Sequence, residues 1–247
     1  MKMLKEFKSV IAFLTIFPVN KVNLIDAING MYFFPIVGAI IGFAAGFFSL
    51  LISRFISRLL ASVFTLGFLL LITGLHHLDG LADFGDGIIA SKTREDRLKA
   101  MHDVNLGVGG LTLTILVTLS SIFAIYQLNF NFLLQILIAS ESSAKLSMVF
   151  LALISKPAYT GLGASFIKEM KGKKGLIKFF AALSSSLAIA FFTLSFSGFL
   201  ILISGLLASL MIFIASNIKF GGVTGDVFGA LNEISRMIAV IIAGLVV

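Results

Sequence analysis

The 247-residue chain contains no cysteine, so it has no disulfide framework, thiolate metal site or cysteine nucleophile, and its redox compartment stays open. Charge is scarce as well: Asp, Glu, Lys and Arg make up 13% of the residues against 58% apolar ones, with mean hydropathy +1.08. That composition lies far outside the range of soluble globular domains and excludes a secreted domain, a disordered chain and a soluble enzyme core. Strand-like alternation is also missing, because the apolar runs are long and continuous, which argues against a membrane barrel. What the chain does have is apolar sequence for roughly seven spans of about 20 residues each.

Runs delimited by charge, Gly and Pro predict spans at 32–53, 59–75, 107–126, 130–153, 178–196, 199–217 and 230–246. Ahead of them, Met1 to Phe17 is basic (Lys2, Lys5, Lys8), with Leu4, Phe7, Val10, Ile11 and Leu14 at helical spacing. It reads as an amphipathic helix lying in the membrane interface. No small-residue cleavage site follows it, so no cleaved signal peptide is expected. No internal repeat or second domain stands out. The expectation is one all-α, polytopic helical bundle over residues 1–247, embedded in a lipid bilayer.

If the spans alternate in direction, the N-terminus and the segments 76–106, 154–177 and 218–229 share one side. That side carries Lys2, Lys5, Lys8, Lys21, Lys92, Arg94, Arg97, Lys99, Lys156, Lys168, Lys171, Lys173, Lys174, Lys178 and Lys219, and the other only Arg54 and Arg58. Fifteen against two is a strong positive-inside bias, so the first side is expected to be cytoplasmic and the protein to lie in the cell membrane. Net charge is +7. In a bilayer protein this sidedness accounts for it, and no nucleic-acid partner is expected. The carboxylates Asp79, Asp83, Asp86, Glu95, Asp96, Asp103, Glu169 and Asp226 fall on the same side. A transporter would need polar groups along a path through the membrane, whereas here they gather at one face.

The densest group is His76-His77-Leu78-Asp79-Gly80-Leu81-Ala82-Asp83-Phe84-Gly85-Asp86-Gly87. At about 100° per residue, Asp79, Asp83 and Asp86 fall within a stripe about 60° wide, and His76 lies beside it. Like charges at this spacing repel and call for a counter-cation. Hard oxygen donors suit Mg²⁺, which also binds substrate phosphates, better than Zn²⁺. Gly80 and Gly87 allow a bulky ligand to approach closely. The plainer alternative is a solvated acidic loop with flexible glycines.

Three further segments carry polar residues. Arg94 to Gly110 reads as a short amphipathic helix entering a Gly-rich span start; its bases either clamp a diphosphate or simply supply inside positive charge. Residues 221–229 hold four glycines ahead of the last span, a pattern that suits an anion at a helix start or close helix packing. Asp226 and Glu233 share a face of that helix. Inside the fourth span Glu141 and Lys145 stand four apart, as a functional pair or as a stabilising one.

Taken in order, these motifs resemble the cobalamin synthase family of adenosylcobinamide-GDP ribazoletransferases. The resemblance runs from Phe13-Leu14-Thr15-Ile16-Phe17-Pro18-Val19 through Thr73-Gly74 and His77-Leu78-Asp79-Gly80-Leu81-Ala82-Asp83 to Asp86-Gly87. It continues over Arg94, Arg97, Met101, Asp103 and Gly107 and over Gly161-Leu162-Gly163-Ala164-Ser165-Phe166. It ends on Gly222-Val223-Thr224-Gly225-Asp226 and Asn232-Glu233. It implies a Mg²⁺-dependent membrane transferase that joins adenosylcobinamide-GDP to α-ribazole or its 5'-phosphate and releases GMP. Asp79, Asp83 and Asp86 would hold the metal, and His77, Asp103 and Asp226 would stand with them as catalytic groups. Asp103 or Asp226 would serve a second metal position or take the nucleophile's proton. Gly80, Arg94, Arg97, Asn105, Gly222, Thr224, Gly225, Asn232 and Glu233 would bind substrate. Two departures are visible. His102 and Asn105 stand where the family often has bases, and the motif match selects His77 where the helical wheel favours His76, which unwinding near Gly80 would reconcile. Self-association is left open. The rival readings are a CDP-alcohol phosphotransferase, whose longer pattern fails where Asp83 follows Ala82, and a secondary transporter using Glu141 and Lys145.

Overall fold

The structure, a computed structural model, describes residues 2–90 and 93–247. Met1 and Lys92, included above in the N-terminal helix and the basic tally, lie outside the described residues. The described residues form eleven α-helices: α1 (Lys2–Leu14), α2 (Leu24–Asn29), α3 (Phe34–Ile52), α4 (Arg58–Ile72), α5 (His76–Ile89), α6 (Arg94–Met101), α7 (Val108–Gln127), α8 (Leu133–Ile154), α9 (Leu162–Glu169), α10 (Gly172–Phe220) and α11 (Gly225–Val246). The described residues contain no strand, and one isolated bridge joins Pro157 to Val223.

Among the described residues, five helical stretches are long and apolar enough to cross a membrane, and α4 and α5, set at 94° to each other, reach that length only as a pair. The 49-residue α10 is two helices joined at a break. Its backbone leaves helical geometry at Ser195 (φ 49°), and Gly198 then lies against the Ala190 carbonyl. Eight residues of unbroken helix would hold those two about 12 Å apart, so the chain folds back there into two arms, 172–194 and 196–220. Ser197 Oγ, just past the turn, donates to the Val246 carbonyl at 2.8 Å, which ties the hairpin tip to the end of α11. The spans expected at 178–196 and 199–217 are these two arms.

α8 is the central post, buried along most of its length. Gly38, Gly42 and Gly46, one turn apart on α3, press against its backbone, and a Cβ on Gly38 would stand 2.5 Å from the Glu141 carbonyl oxygen. Such small-residue stripes let spanning helices approach closely enough for dispersion to hold them. The sequence reading did not single this stripe out. Phe43, Phe47, Phe192 and Phe196 point away from the protein, as a lipid-facing belt requires. Helix α1 forms as expected, but it docks on the bundle as well as exposing an apolar edge. Val10 and Leu14 are buried, the buried Glu6 accepts a hydrogen bond from Tyr32 at 2.6 Å, and Met3 and Leu4 stay exposed.

Candidate functional site

The site is built where α4 turns into α5. Thr73 Oγ1 back-bonds to the Leu69 carbonyl at 2.9 Å, and Gly74 (φ 71°) and Leu75 (φ 63°) are both left-handed. Gly adopts that conformation freely; Leu does so at a cost. The two residues together swing α5 across the bundle end, over the starts of α7 and α11. α5 is continuous from His76 to Ile89, so the unwinding expected near Gly80 does not occur. His76 and His77 reach the same cleft because both stand in the helix's first turn.

The motif glycines are where α5 meets its neighbours. A Cβ on Gly80 would stand 2.8 Å from the Asp226 carbonyl oxygen of α11, and one on Gly85 would stand 2.7 Å from the Gly109 carbonyl oxygen of α7. Gly87 faces Met101 and Phe220. The space at Gly80 and Gly87 expected to admit a ligand is thus filled by protein. Gly222 likewise rests on the Lys156–Ala158 backbone, whereas Gly225 has open space before it and lines the cleft.

The carboxylates separate into two kinds. Asp86 accepts the backbone N–H of Gly107 and of Gly110, each at 2.8 Å, one on each oxygen. It caps the start of α7, where orphan amide donors and the helix dipole favour an anion. Asp79 and Asp83 have no hydrogen-bond or ion-pair partner among the described residues, and Asp226, brought in by the Gly80 contact, has only the Thr224 hydroxyl at 3.3 Å. Partial burial, followed by the nearby charges of Asp226, Asp79 and Asp86, pushes the Asp83 carboxyl up to about 7. The third acidic group at the mouth is therefore Asp226 from α11, with Asp86 turned into the scaffold.

Around this mouth stand Tyr159 and His102, whose rings meet edge to face at 5.4 Å, and Thr224, which caps α11 by accepting from Val227 N–H. Tyr159 is a site residue that sequence reasoning missed. It sits in the stretch between two recognisable motifs, and only the backbone pairing of Ala158 N–H with the Val223 carbonyl (3.0 Å) carries it to the acidic group. The basic residues hold the frame. Arg94 donates to the Ala158 carbonyl at 2.7 Å with its guanidinium over Gly221, and Arg97 caps the end of α5 through the Gly87 and Ile88 carbonyls at 3.1 and 2.6 Å. Asp103 accepts from Asn105 backbone and side chain at 2.9 and 3.0 Å in an exposed loop, which holds its carboxyl below the usual range.

Beneath the mouth lies a buried ionic network. Glu141 pairs with both Lys145 (3.4 Å) and Arg236, Arg236 also pairs with Glu233 (2.6 Å), and Asn232 bridges Lys145 (2.5 Å) and Glu233 (3.0 Å). All five side chains are buried. The structure thus places Asn232 and Glu233, expected to touch substrate, inside this network. His77 stands between network and cleft. Burial, with Lys145 and Arg236 nearby, holds its imidazole well below its usual value, and its Nδ1 is buried with no hydrogen-bond partner among the described residues.

The cleft itself has a volume of about 670 Å³. Its exposed lining is His76, Asp79 and Tyr159, with Asp226 and Thr224 beside them, and its more buried lining is mostly Phe and Met side chains of α1, α3, α8, α9 and α11 and of the Met31 turn, with Thr73 and His77. As donors, the unpartnered carboxylates are the hard oxygens a divalent cation takes. Among the described residues, no three acidic or histidine side chains already converge on one point. Their donor chemistry would suit Mg²⁺, and bringing three of them to one ion would require side-chain rotation.

Comparison with known proteins agrees with this geometry. The family described as cobalamin-5-phosphate synthase matches residues 6–244. Proteins named adenosylcobinamide-GDP ribazoletransferase from Methanocella arvoryzae and Methanosarcina barkeri are each 34% identical to this chain, covering 99% and 97% of it and 97% and 91% of themselves. One from Thermoanaerobacter pseudethanolicus is 31% identical over 85% of the chain and 83% of its own length. No solved structure matches. With a family match across nearly every residue, the chain belongs to the cobalamin-5-phosphate synthase family.

Proposed function

We propose that the protein is an adenosylcobinamide-GDP ribazoletransferase working at the cytoplasmic face of the cell membrane. It joins adenosylcobinamide-GDP to α-ribazole, or to its 5'-phosphate, and releases GMP. The observation that carries this reading is the cleft: charged and unpaired at one end, apolar at the other, in a chain of this family. The excess of basic residues at the loop-rich end supports its facing the cytoplasm.

A ribazole hydroxyl attacks the phosphorus bonded to cobinamide. A new P–O bond forms, the diphosphate P–O bond breaks, and the electron pair leaves on GMP. Catalysis of this kind is mostly positioning and charge neutralisation. Asp79, Asp83 and Asp226 would hold Mg²⁺, whose chemistry is to neutralise charge on the diphosphate oxygens. Asp86 keeps α5 seated on α7, so Asp79 and Asp83 stay aimed at the mouth. The hydroxyl proton needs an acceptor at the cleft wall, and Asp226 and the neutral His77 both stand there.

The test is purified full-length protein in liposomes, given adenosylcobinamide-GDP, α-ribazole and Mg²⁺. Stoichiometric GMP release with a corrinoid product is expected. CMP release from a CDP-alcohol instead, or substrate accumulation without bond cleavage, would replace this reading.

A further inference from the structure

The transferase reading leaves open which of its two large substrates occupies the cleft. We infer that it is the acceptor: the benzimidazole base of α-ribazole fills the apolar inner half, and its ribose reaches out to the carboxylates. This rests on the transferase reading and adds to it a binding site and the residues that form it.

Size is the first argument. A cleft of about 670 Å³ lies within the range that holds a single drug-sized ligand. A heteroaromatic nucleoside is such a ligand. A corrin ring with its nucleotide arm is several times larger, so it stays outside and presents only its diphosphate at the mouth.

Wall chemistry is the second. Phe13, Phe34 and Phe166 form a mutual cluster with ring centroids 5.1, 6.0 and 6.1 Å apart. Phe34 and Phe166 are buried, and the half-exposed Phe13 turns toward the cavity. Met31, Met148 and Phe228 complete this wall; of the hydrogen-bonding side chains, His76, Asp79 and Tyr159 are exposed, while Thr73 and His77 are more buried. Guanine carries donors and acceptors around its edge, and these rings would leave them unpaired. Dimethylbenzimidazole presents two methyl groups and a flat face, which aromatic and thioether side chains suit.

Order along the cleft is the third. With the base inside, the sugar hydroxyls lie at Asp79, Tyr159 and Asp226, where the diphosphate must arrive. One consequence is a role for α1. Ala12 and Phe13 belong to it, so the N-terminal helix is a wall of the acceptor site as well as an amphipathic element at the membrane surface.

The test uses the full chain in detergent. Equilibrium dialysis with labelled α-ribazole should show binding without the corrinoid, undiminished by excess GMP. The benzimidazole ribonucleoside, lacking both methyls, should bind about 15-fold more weakly, at about 4-fold per buried methyl. Ala12→Leu, which intrudes on the cavity, should raise KM for α-ribazole at least tenfold and change KM for adenosylcobinamide-GDP less than twofold. If Ala12→Leu does not fold, Phe13→Leu should weaken α-ribazole binding about fivefold in the same assay. Competition by GMP, a KM effect on the corrinoid substrate instead, or unchanged α-ribazole affinity in these variants would overturn the inference while leaving the transferase reading intact. Wild-type protein that binds α-ribazole yet releases no GMP would break the transferase reading alone.

Discussion

Two sets of charges lie close together in this protein and are built in opposite ways. In the interior, Glu141, Lys145, Glu233 and Arg236 are matched two acids to two bases, with Asn232 between them, and all are buried. At the cleft mouth, Asp79, Asp83 and Asp226 share one sign and have almost no protein partners among the described residues. A membrane interior tolerates charge that is paired and closed. Carboxylates gathered without partners are an unfavourable arrangement that a ligand's charge relieves. The contrast separates the groups that hold the bundle together from those proposed to meet substrate, although α11 supplies members of both.

The sharpest way to break this contrast is Asp83→Asn. Turnover is expected to fall by about three orders of magnitude, the scale of losing a group that stabilises transition-state charge, with the thermal unfolding midpoint in detergent nearly unchanged. GMP release near the wild-type rate would show that the mouth carboxylates are not the reacting site. Glu141→Ala tests the other half. It leaves Lys145 and Arg236 buried without their shared acid and should cost about 3–5 kcal/mol of stability, read as a lowered melting temperature; a loss under about 1 kcal/mol would mean the network is not closed. Glu141→Gln should lower stability or activity only in part.

Asp86→Asn addresses the boundary between the two kinds. The amide keeps one acceptor oxygen and loses the other, so about 1–2 kcal/mol of stability should go with one charge-assisted bond. Activity is expected to stay far above that of Asp83→Asn. Equal loss in the two variants would place Asp86 back among the reacting groups. The smallest effect is expected from Thr224→Ala, which removes the α11 cap at about 1 kcal/mol. Hydrogen exchange confined to the first turn of α11 would register it, and unaltered exchange there would deny Thr224 that role.

Much of the architecture was readable beforehand, and the exceptions have physical causes. The apolar runs located the crossings to within a few residues, and even the hairpin at Ser195 was anticipated as two spans, because bilayer thickness limits how long one crossing runs. Last-span expectations began at 230, five residues after α11 starts at Gly225, since the polar first turns of that helix carry the site. The Asp79–Asp83–Asp86 stripe was correct as a helical wheel and incomplete as a site. A wheel tells which residues share a face and not what that face meets, and α7 claims Asp86 with two backbone amides. Asn232 and Glu233 illustrate the same limit: their motif marks them, while their depth in the bundle gives them Lys145 and Arg236 as partners.

Composition and periodicity by themselves determined that this is a helical membrane protein, where its long apolar helices run, and which segments gather the carboxylates, because these follow from the energetics of apolar length and charge. Tertiary packing alone decided that Gly80 seats α5 on Asp226, that Asp86 serves as a cap, that Tyr159 joins the mouth, and that α1 closes an aromatic cleft. Those outcomes depend on contacts between residues far apart in the chain, where close approach of two backbones sets which side chains meet, and no local pattern encodes that distance.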